Sequence, residues 1–356
     1  MKSNTYLAQI VIIRLTGFDA ASLSFNFRQS FPLSHNSYEI PTLRSAILQE
    51  KAHLRAAYYW LNLYAPSTNA SCLERTRGCL EAAHHLRQIQ AWKLISQILW
   101  LQLEGEGSGF LYQQLGDSGL FKEQIDLYLP LVGKTDEFLD LLCWQGLGEA
   151  YTHLGRYQQA IEAFKSLLQL ARQKSHLLVE ARALEGLGRC YGNWGNYQTA
   201  RAYCQESWYC LDQFKDEGDR NSDIKQQKGQ TLATLSYVAI HLRQYRRAIA
   251  CGEQALAIAR EIDDLETQWY ALGRLAISYA QLGQGQKAFR SLEQQYRQRH
   301  QNQDLRQVSA LLINFGLICC YQRKFQLASQ CVQESWEIHQ QMGDANGQCS
   351  GGDKRP

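Results

Sequence analysis

The sequence predicts an all-α protein, a right-handed α-α superhelix of antiparallel helical hairpins. A pattern of small and large apolar residues at helical spacing occurs in five copies, and three of the four spacings between copies are 40 residues. The chain of 356 residues contains only five prolines, which suits continuous helices. Because hairpins of one length recur along the chain, they favour a stacked array over a single globular core.

Residues 144–164 form the most regular copy. Gly148 and Ala160 are small because two antiparallel helices are expected to cross closely at these positions. Gly155 is expected to end the first helix in the left-handed conformation. The large apolar residues that fill the seam between the two helices are Trp144, Leu147, Tyr151 and Phe164. One hairpin cannot bury this apolar face alone, so further copies should stack on it.

Both helices of every copy have a small residue at the same position in the repeat. The crossing position of the first helix is occupied by Gly148, Gly188, Ser236, Ala276 and Gly316. The small residue of the second helix recurs as Ala160, Ala200, Ala248, Ala288 and Ala328. The spacings are 40, 48, 40 and 40 residues, and the longer one predicts an exposed, charged insertion at about residues 214–228.

In order, Trp144, Leu147-Gly148, Tyr151, Ala160 and Phe164 resemble the tetratricopeptide repeat (TPR) signature. The long repeats resemble TPR arrays of bacterial, especially cyanobacterial, signalling proteins and, more distantly, of kinesin light chain. This resemblance implies a TPR solenoid over about residues 43–342. The segment 45–132 also resembles the helical arm that joins a STAND-type signalling ATPase module to its TPR sensor.

Four segments are expected along the chain. They are an irregular or poorly ordered N-terminal segment (1–40), divergent TPR-like helical hairpins (41–132), five TPR repeats (133–342) and a disordered tail (343–356). A connector signature at Met342 should lead into a capping helix, which the remaining polar residues do not supply. The last hairpin is therefore expected to expose an apolar face, which is covered by a partner or continues in a longer chain.

The composition does not favour nucleic acid or a membrane as partner, and it does not favour secretion. A net charge of +3 does not demand nucleic acid or an anionic membrane as partner. No apolar run approaches the roughly 20 residues that span a bilayer. Arg14 interrupts the only apolar N-terminal stretch, which disfavours a secretory signal. Eleven cysteines without a C-x-x-C pair predict buried, reduced thiols in a cytoplasmic protein.

The sequence contains only incomplete versions of nucleotide-binding and metal-binding motifs. Residues 133–135 read Gly-Lys-Thr, but the P-loop glycine five positions earlier is Tyr128, so a Gly C-cap followed by a Thr N-cap is expected. The glycines at 105–109 predict a hinge between helices. His84 and His85 are adjacent on a helix and cannot both face one ligand. We therefore expect no enzyme, no cofactor and no metal site.

The TPR resemblance places binding residues in a concave groove, one and two positions on either side of the Leu-Gly pair. Carried over to this chain, they are Gln145, Glu149, Glu185, Arg189, Asn193, Ala233, Tyr237, Gly273, Arg274, Ile277, Ile313, Asn314, Leu317 and Tyr321. The first copies offer mixed charge and the later ones apolar and aromatic groups. This gradient favours an amphipathic helix or an extended peptide as ligand. The Lys and Asn pattern of carboxylate-clamp TPRs is not present at these positions.

Two functional hypotheses follow. In the first, the protein is a non-catalytic scaffold or adaptor that binds a partner protein or peptide in the groove. In the second, it is the sensor or regulatory portion of a STAND-type signalling ATPase system, split from its effector module. An assembly factor for membrane complexes is a third class that TPR proteins often fill, but no residue here points to it.

Overall fold

The computed structural model describes residues 40–67, 70–103, 109–214, 222–299 and 305–341. Over these ranges the chain is helical apart from turns and one pair of short strands. Contacts divide the chain into two compact units, residues 1–150 and 151–356. The predicted irregular segment, apart from Ile40, and the predicted tail lie outside the described residues.

The first unit contains five helices and most of a sixth among its described residues. They are α1 (Ile40–Asn62), α2 (Cys72–Gln88), α3 (Trp92–Ile98), α4 (Leu111–Asp117), α5 (Phe121–Tyr128) and α6 (Glu137–His153), with a 3-10 turn at Leu129–Leu131. α1 and α2 pack together as a hairpin. Gly78 permits their close approach, because a Cβ there would lie 2.7 Å from the carbonyl oxygen of Trp60. The division between the units falls within α6, whereas the repeat pattern places a boundary at 132–133.

Residues 105–108 of the predicted hinge lie outside the described residues, and the prediction is wrong for Gly109, which belongs to a strand. The strands are β1 (Gln102–Leu103) and β2 (Gly109–Phe110), and they pair antiparallel. The Gln114 side-chain amide donates hydrogen bonds to the carbonyls of Leu103 and Gly109, at 3.4 and 3.3 Å. Strands of two residues are too short to leave a detectable alternation in the sequence.

The Gly-Lys-Thr stretch is a turn before α6. Gly133 has a φ of 69°, as expected for a C-cap, and its N–H donates to the Asp140 carboxylate at 2.8 Å. The expected N-cap residue, Thr135, does not cap the helix. Instead the Asp136 carboxylate accepts a hydrogen bond from the Leu139 N–H at 2.9 Å, a role that Asp fills as well as Thr.

The second unit is a series of stacked hairpins. Its complete helices are α7 (Tyr157–Gln173), α8 (Leu177–Asn193), α9 (Tyr197–Asp212), α10 (Ser222–His241), α11 (Tyr245–Glu261), α12 (Leu265–Gln281), α13 (Gly285–Arg299), α14 (Leu305–Tyr321) and α15 (Phe325–Gln341). α7 packs on α8, and the hairpins α8–α9, α10–α11, α12–α13 and α14–α15 follow. Among the first helices, α8 contacts α10, α10 contacts α12, and α12 contacts α14. The predicted all-α architecture of antiparallel hairpins is confirmed.

The turns within the hairpins require positive φ. Gly155, Gly195 and Gly283 end first helices with φ of 70°, 90° and 73°. Arg243 and Arg323 occupy the equivalent positions with φ of 56° and 60°. A side chain in this conformation costs roughly 1–2 kcal/mol, so these two turns form because the flanking helices pack, not because of local preference.

Small residues stand where the helices cross. A Cβ at Gly188 would lie 2.3 Å from the Cys204 Sγ, and one at Gly186 would lie 2.5 Å from the Phe164 ring. In the third copy the crossing residue is Ser236, whose hydroxyl donates to the Ala248 carbonyl at 2.8 Å. The repeat pattern therefore identified positions at which two helix backbones meet.

The predicted exposed insertion at 214–228 falls partly outside the described residues. Residues 215–221 lie outside the described residues, whereas 222–228 form the first turns of α10. Ile224 is 2% exposed, so the insertion does not extend over these turns. Among the helices that the structure describes, none is long and apolar enough to cross a membrane.

Candidate functional site

The predicted groove residues divide between the two units. Gln145 and Glu149 lie on α6 in the first unit, where the Gln145 amide donates to the Glu149 carboxylate at 3.1 Å. The others lie on first helices of the second unit, and we call this set the first-helix surface. It comprises Glu185, Arg189 and Asn193 on α8, Ala233 and Tyr237 on α10, Gly273, Arg274 and Ile277 on α12, and Ile313, Asn314, Leu317 and Tyr321 on α14.

A buried carboxylate lies on α8, the first helix of this surface. Glu185 is 6% exposed, and it accepts a hydrogen bond from the Thr234 hydroxyl at 2.6 Å. The Nε of Arg189, one helical turn further along α8, lies 3.8 Å from the same carboxylate oxygen. The charge of Glu185 is thus balanced within the fold. Thr234 was missed from the sequence, because a threonine between repeat positions carries no distinguishing signal.

Arg274 lies beside this carboxylate group, between two aromatic rings. Its guanidinium carbon is 5.6 Å from the centroid of Tyr237 and 5.3 Å from that of Tyr270. Burial lowers the pKa of the Arg274 guanidinium, while the two tyrosines and Glu185 act in the opposite direction. In the part of the chain that the structure describes, Arg274 has no hydrogen-bond acceptor and no ion pair within 4.0 Å.

The Tyr237 ring is held by further side chains. The His241 ring meets it edge-on at 4.6 Å and stacks on Tyr197 at 4.4 Å. A Cβ at Gly192 would lie 3.3 Å from the Tyr237 ring, so α8 packs closely against it. Burial raises the pKa of Tyr237 to about 12. The phenol therefore stays neutral at physiological pH and can donate a hydrogen bond.

The far end of the surface is apolar. Ile313 and Tyr321 are 41% and 44% exposed, while Ile277 and Leu317 are partly buried. Asn314 packs against α12, where a Cβ at Gly273 would lie 2.5 Å from its amide nitrogen. The surface thus changes from mainly charged and aromatic groups on α8, α10 and α12 to mainly apolar groups, Ile313, Leu317 and Tyr321, on α14.

The last hairpin carries a second apolar surface. Val332 of α15 is 53% exposed. The equivalent position is buried in every earlier copy, where it is occupied by Phe164, Cys204, Gly252 and Leu292. Two of these residues contact the next first helix, Phe164 against Gly186 and Gly252 against Leu275. Within the described residues, the face of α15 around Val332 has no such helix upon it.

Sequence comparisons place TPRs within the chain. The tetratricopeptide repeat family model matches residues 140–207, which cover most of the first two repeats. The outer dynein arm-docking complex subunit 4 of Danio rerio is 29% identical over 120 residues, or 33% of this chain. The matched segment spans only 22% of that protein's length.

Solved structures share the fold. The apo form of RapI superimposes with a TM-score of 0.57 at 14% identity, covering 83% of this chain and all of RapI. A Rap protein complexed with Competence and Sporulation Factor has a TM-score of 0.51 at 11% identity, covering 99% of this chain and 96% of that protein. At such identities these likenesses concern the fold alone. The repeat signature, the stacked hairpins and these matches together support a tetratricopeptide repeat protein, with the family model matched over residues 140–207.

Proposed function

We propose that the protein is a non-catalytic scaffold or adaptor that binds a peptide or helix of a partner protein on its first-helix surface. TPRs and the similar fold of a Rap protein in complex with a factor support a role in protein interaction. In the same proposal the partner is protein and not nucleic acid, since the net charge is only +3. The protein acts in the cytoplasm without a cofactor.

Arg274 carries the proposal. A guanidinium has five N–H donors, and those of Arg274 have no protein acceptor within the described residues. Two tyrosine rings hold the group in place, so little side-chain entropy is lost when a ligand binds. A carboxylate or backbone carbonyl of a bound segment would supply the missing acceptor.

The apolar end sets the other requirement on the ligand. The exposed aliphatic and aromatic groups of Ile313 and Tyr321 can bury apolar side chains of a segment that reaches from α12 to α14. The segment is therefore amphipathic, with an acceptor group near Arg274 and apolar side chains towards α14. The exposed face of α15 around Val332 is a second contact surface in this proposal.

A peptide selection tests the proposal. A random peptide library displayed on phage would be selected against the immobilised full-length chain, and the affinity of the selected peptides measured. We expect Arg274→Gln to raise the dissociation constant of these peptides by about tenfold or more, which is equivalent to about 1.4 kcal/mol of binding free energy. Arg290→Gln is the matched control, because Arg290 is exposed on the second helix α13.

Melting curves by circular dichroism would establish that both variants are folded. If the selected peptides bind Arg274→Gln as tightly as the parent, the assignment of the first-helix surface is wrong. If the library yields no peptide that binds the folded parent, the adaptor proposal itself loses its support.

A further inference from the structure

Two histidines from different helices meet in the first unit. The Nδ1 atoms of His53 on α1 and His85 on α2 lie 3.1 Å apart. Their ring centroids are 5.4 Å apart, and the ring planes are inclined by 45°. Both side chains are partly buried, so the pair is accessible to solvent.

Two facing Nδ1 atoms at hydrogen-bond distance need one proton between them. When one imidazole donates its N–H, the other must present a lone pair, so at least one ring is neutral. When neither Nδ1 carries a proton, the two lone pairs converge on the space between the rings. A metal ion can then take the place of the shared proton.

The separation suits a transition-metal ion. Two Zn–N bonds of about 2.0–2.1 Å that meet near the tetrahedral angle place their nitrogens about 3.3–3.4 Å apart. The observed 3.1 Å separation needs an opening of only a few tenths of an ångström, which rotation of a partly exposed ring supplies. α1 and α2 form one hairpin, so both ligands are held on rigid elements.

We propose that His53 and His85 form a two-histidine site for a divalent transition-metal ion of the zinc class, which joins α1 to α2. Imidazole is a preferred ligand for such ions. The described residues contain no group of three or more His, Cys, Asp or Glu side chains that could hold a metal. The pair therefore supplies two ligands, and water completes the coordination.

Neighbouring charges fit this role and supply a control. Glu81, one turn before His85, acts electrostatically on His85 in favour of a cation, although its carboxylate also lies 3.8 Å from Arg77. His84 lies beside His85, with ring centroids 5.6 Å apart, but its Nδ1 faces the Arg87 guanidinium at 3.5 Å. A cation at that position excludes a metal ion, so His84 is not a ligand.

Calorimetric titration with ZnCl2 tests the site. The full-length chain, His53→Gln, His85→Gln and the control His84→Gln would each be titrated near neutral pH. We expect one saturable zinc equivalent that is weakened by about tenfold or more in either ligand variant and retained in the control. Glutamine keeps a hydrogen-bonding side chain, and melting curves without metal would report folding.

A second measurement separates this site from the cysteines. Co2+ bound by imidazole and water lacks the thiolate charge-transfer absorption that cysteine ligands produce. We therefore expect the visible absorption of bound Co2+ in the parent without a thiolate charge-transfer band. That visible absorption should be lost in both ligand variants. If zinc does not saturate the parent below millimolar concentration, or binds both ligand variants as it binds the parent, the proposal is overturned.

Discussion

The Thr234 hydroxyl donates a hydrogen bond to the buried Glu185 carboxylate across 2.6 Å, and so joins α10 to α8. The two residues are 49 positions apart in the sequence. Ser207 on α9 makes a similar connection between helices. Its hydroxyl donates to the Ala181 carbonyl of α8 at 2.8 Å and lies 3.1 Å from the Thr231 hydroxyl of α10. Neighbouring helices in this array are thus connected by polar contacts as well as by apolar packing.

Thr234→Val should destabilise the array. Valine keeps the shape of threonine but removes the hydrogen bond to a buried carboxylate, at a cost of about 1–3 kcal/mol. The midpoint of urea unfolding, followed by circular dichroism, measures this change. Thr234→Ser retains the hydroxyl and serves as the control. An unchanged midpoint for the valine variant would show that water replaces the hydroxyl.

Gly188→Ala should also destabilise the second repeat. The added Cβ would lie 2.3 Å from the Cys204 Sγ and 3.2 Å from the Ala200 carbonyl oxygen, so the helices must move apart. Overpacking of this kind costs about 1–3 kcal/mol. Thermal melts measure the loss.

The double variant Gly188→Ala/Cys204→Ala provides a check on that explanation. Removing the thiol relieves the shorter contact, so the two substitutions together should cost less than the sum of their separate effects. Additive effects would mean that the Gly188–Cys204 contact does not limit the helix crossing.

Arg243→Gly should stabilise the protein. Arg243 has a φ of 56° at a turn where three of the other four copies have glycine. Glycine removes the left-handed strain, worth roughly 1–2 kcal/mol, although part of this gain is lost to the greater freedom of the unfolded chain. The melting temperature should rise, and the converse variant Gly155→Ala, at a φ of 70°, should lower it. A lower melting temperature for Arg243→Gly would mean that the arginine side chain makes stabilising contacts.

Acidification should destabilise the first unit through the histidine pair. Burial, together with His53 and His84, holds the pKa of His85 below its ordinary value of about 6.5, while Glu81 acts in the opposite direction. The unfolded chain then binds more protons than the folded one between the lowered pKa and 6.5, so stability falls as the pH falls through that window. The melting temperature of the parent should drop more between pH 7.5 and 5.5 than that of His85→Gln. Equal drops in melting temperature in the two proteins would mean that protonation of His85 does not cause the loss of stability.

Tyr237→Ala combined with Tyr321→Ala should weaken partner capture without changing helicity. Both side chains belong to the first-helix surface, and removing Tyr237 also frees the Arg274 guanidinium from one of its two rings. Affinity capture by parent and variant, compared by mass spectrometry, measures the effect. Tyr209→Ala is the control, because Tyr209 is exposed on the second helix α9. Identical captured partners for the parent and the double variant would place binding elsewhere.

The sequence by itself determined the repeated hairpins, the left-handed turn at Gly155 and the small residues at helix crossings such as Gly188. These features are local, because helical periodicity and the freedom of glycine act over a few residues and recur in every copy. The repeat pattern also located candidate residues such as Arg274, since it assigns positions within each repeat. The predicted hinge was wrong for Gly109, which lies in a strand too short to leave a pattern.

Only the tertiary structure decided which side chains meet. Adjacent His84 and His85 pointed to no site in the sequence, yet His85 faces His53, 32 positions away on another helix. Thr234 reaches Glu185 because α10 packs on α8 with one particular register. Contacts between helices depend on crossing angle and register, which small differences in side-chain volume determine, and no periodicity within one helix records them.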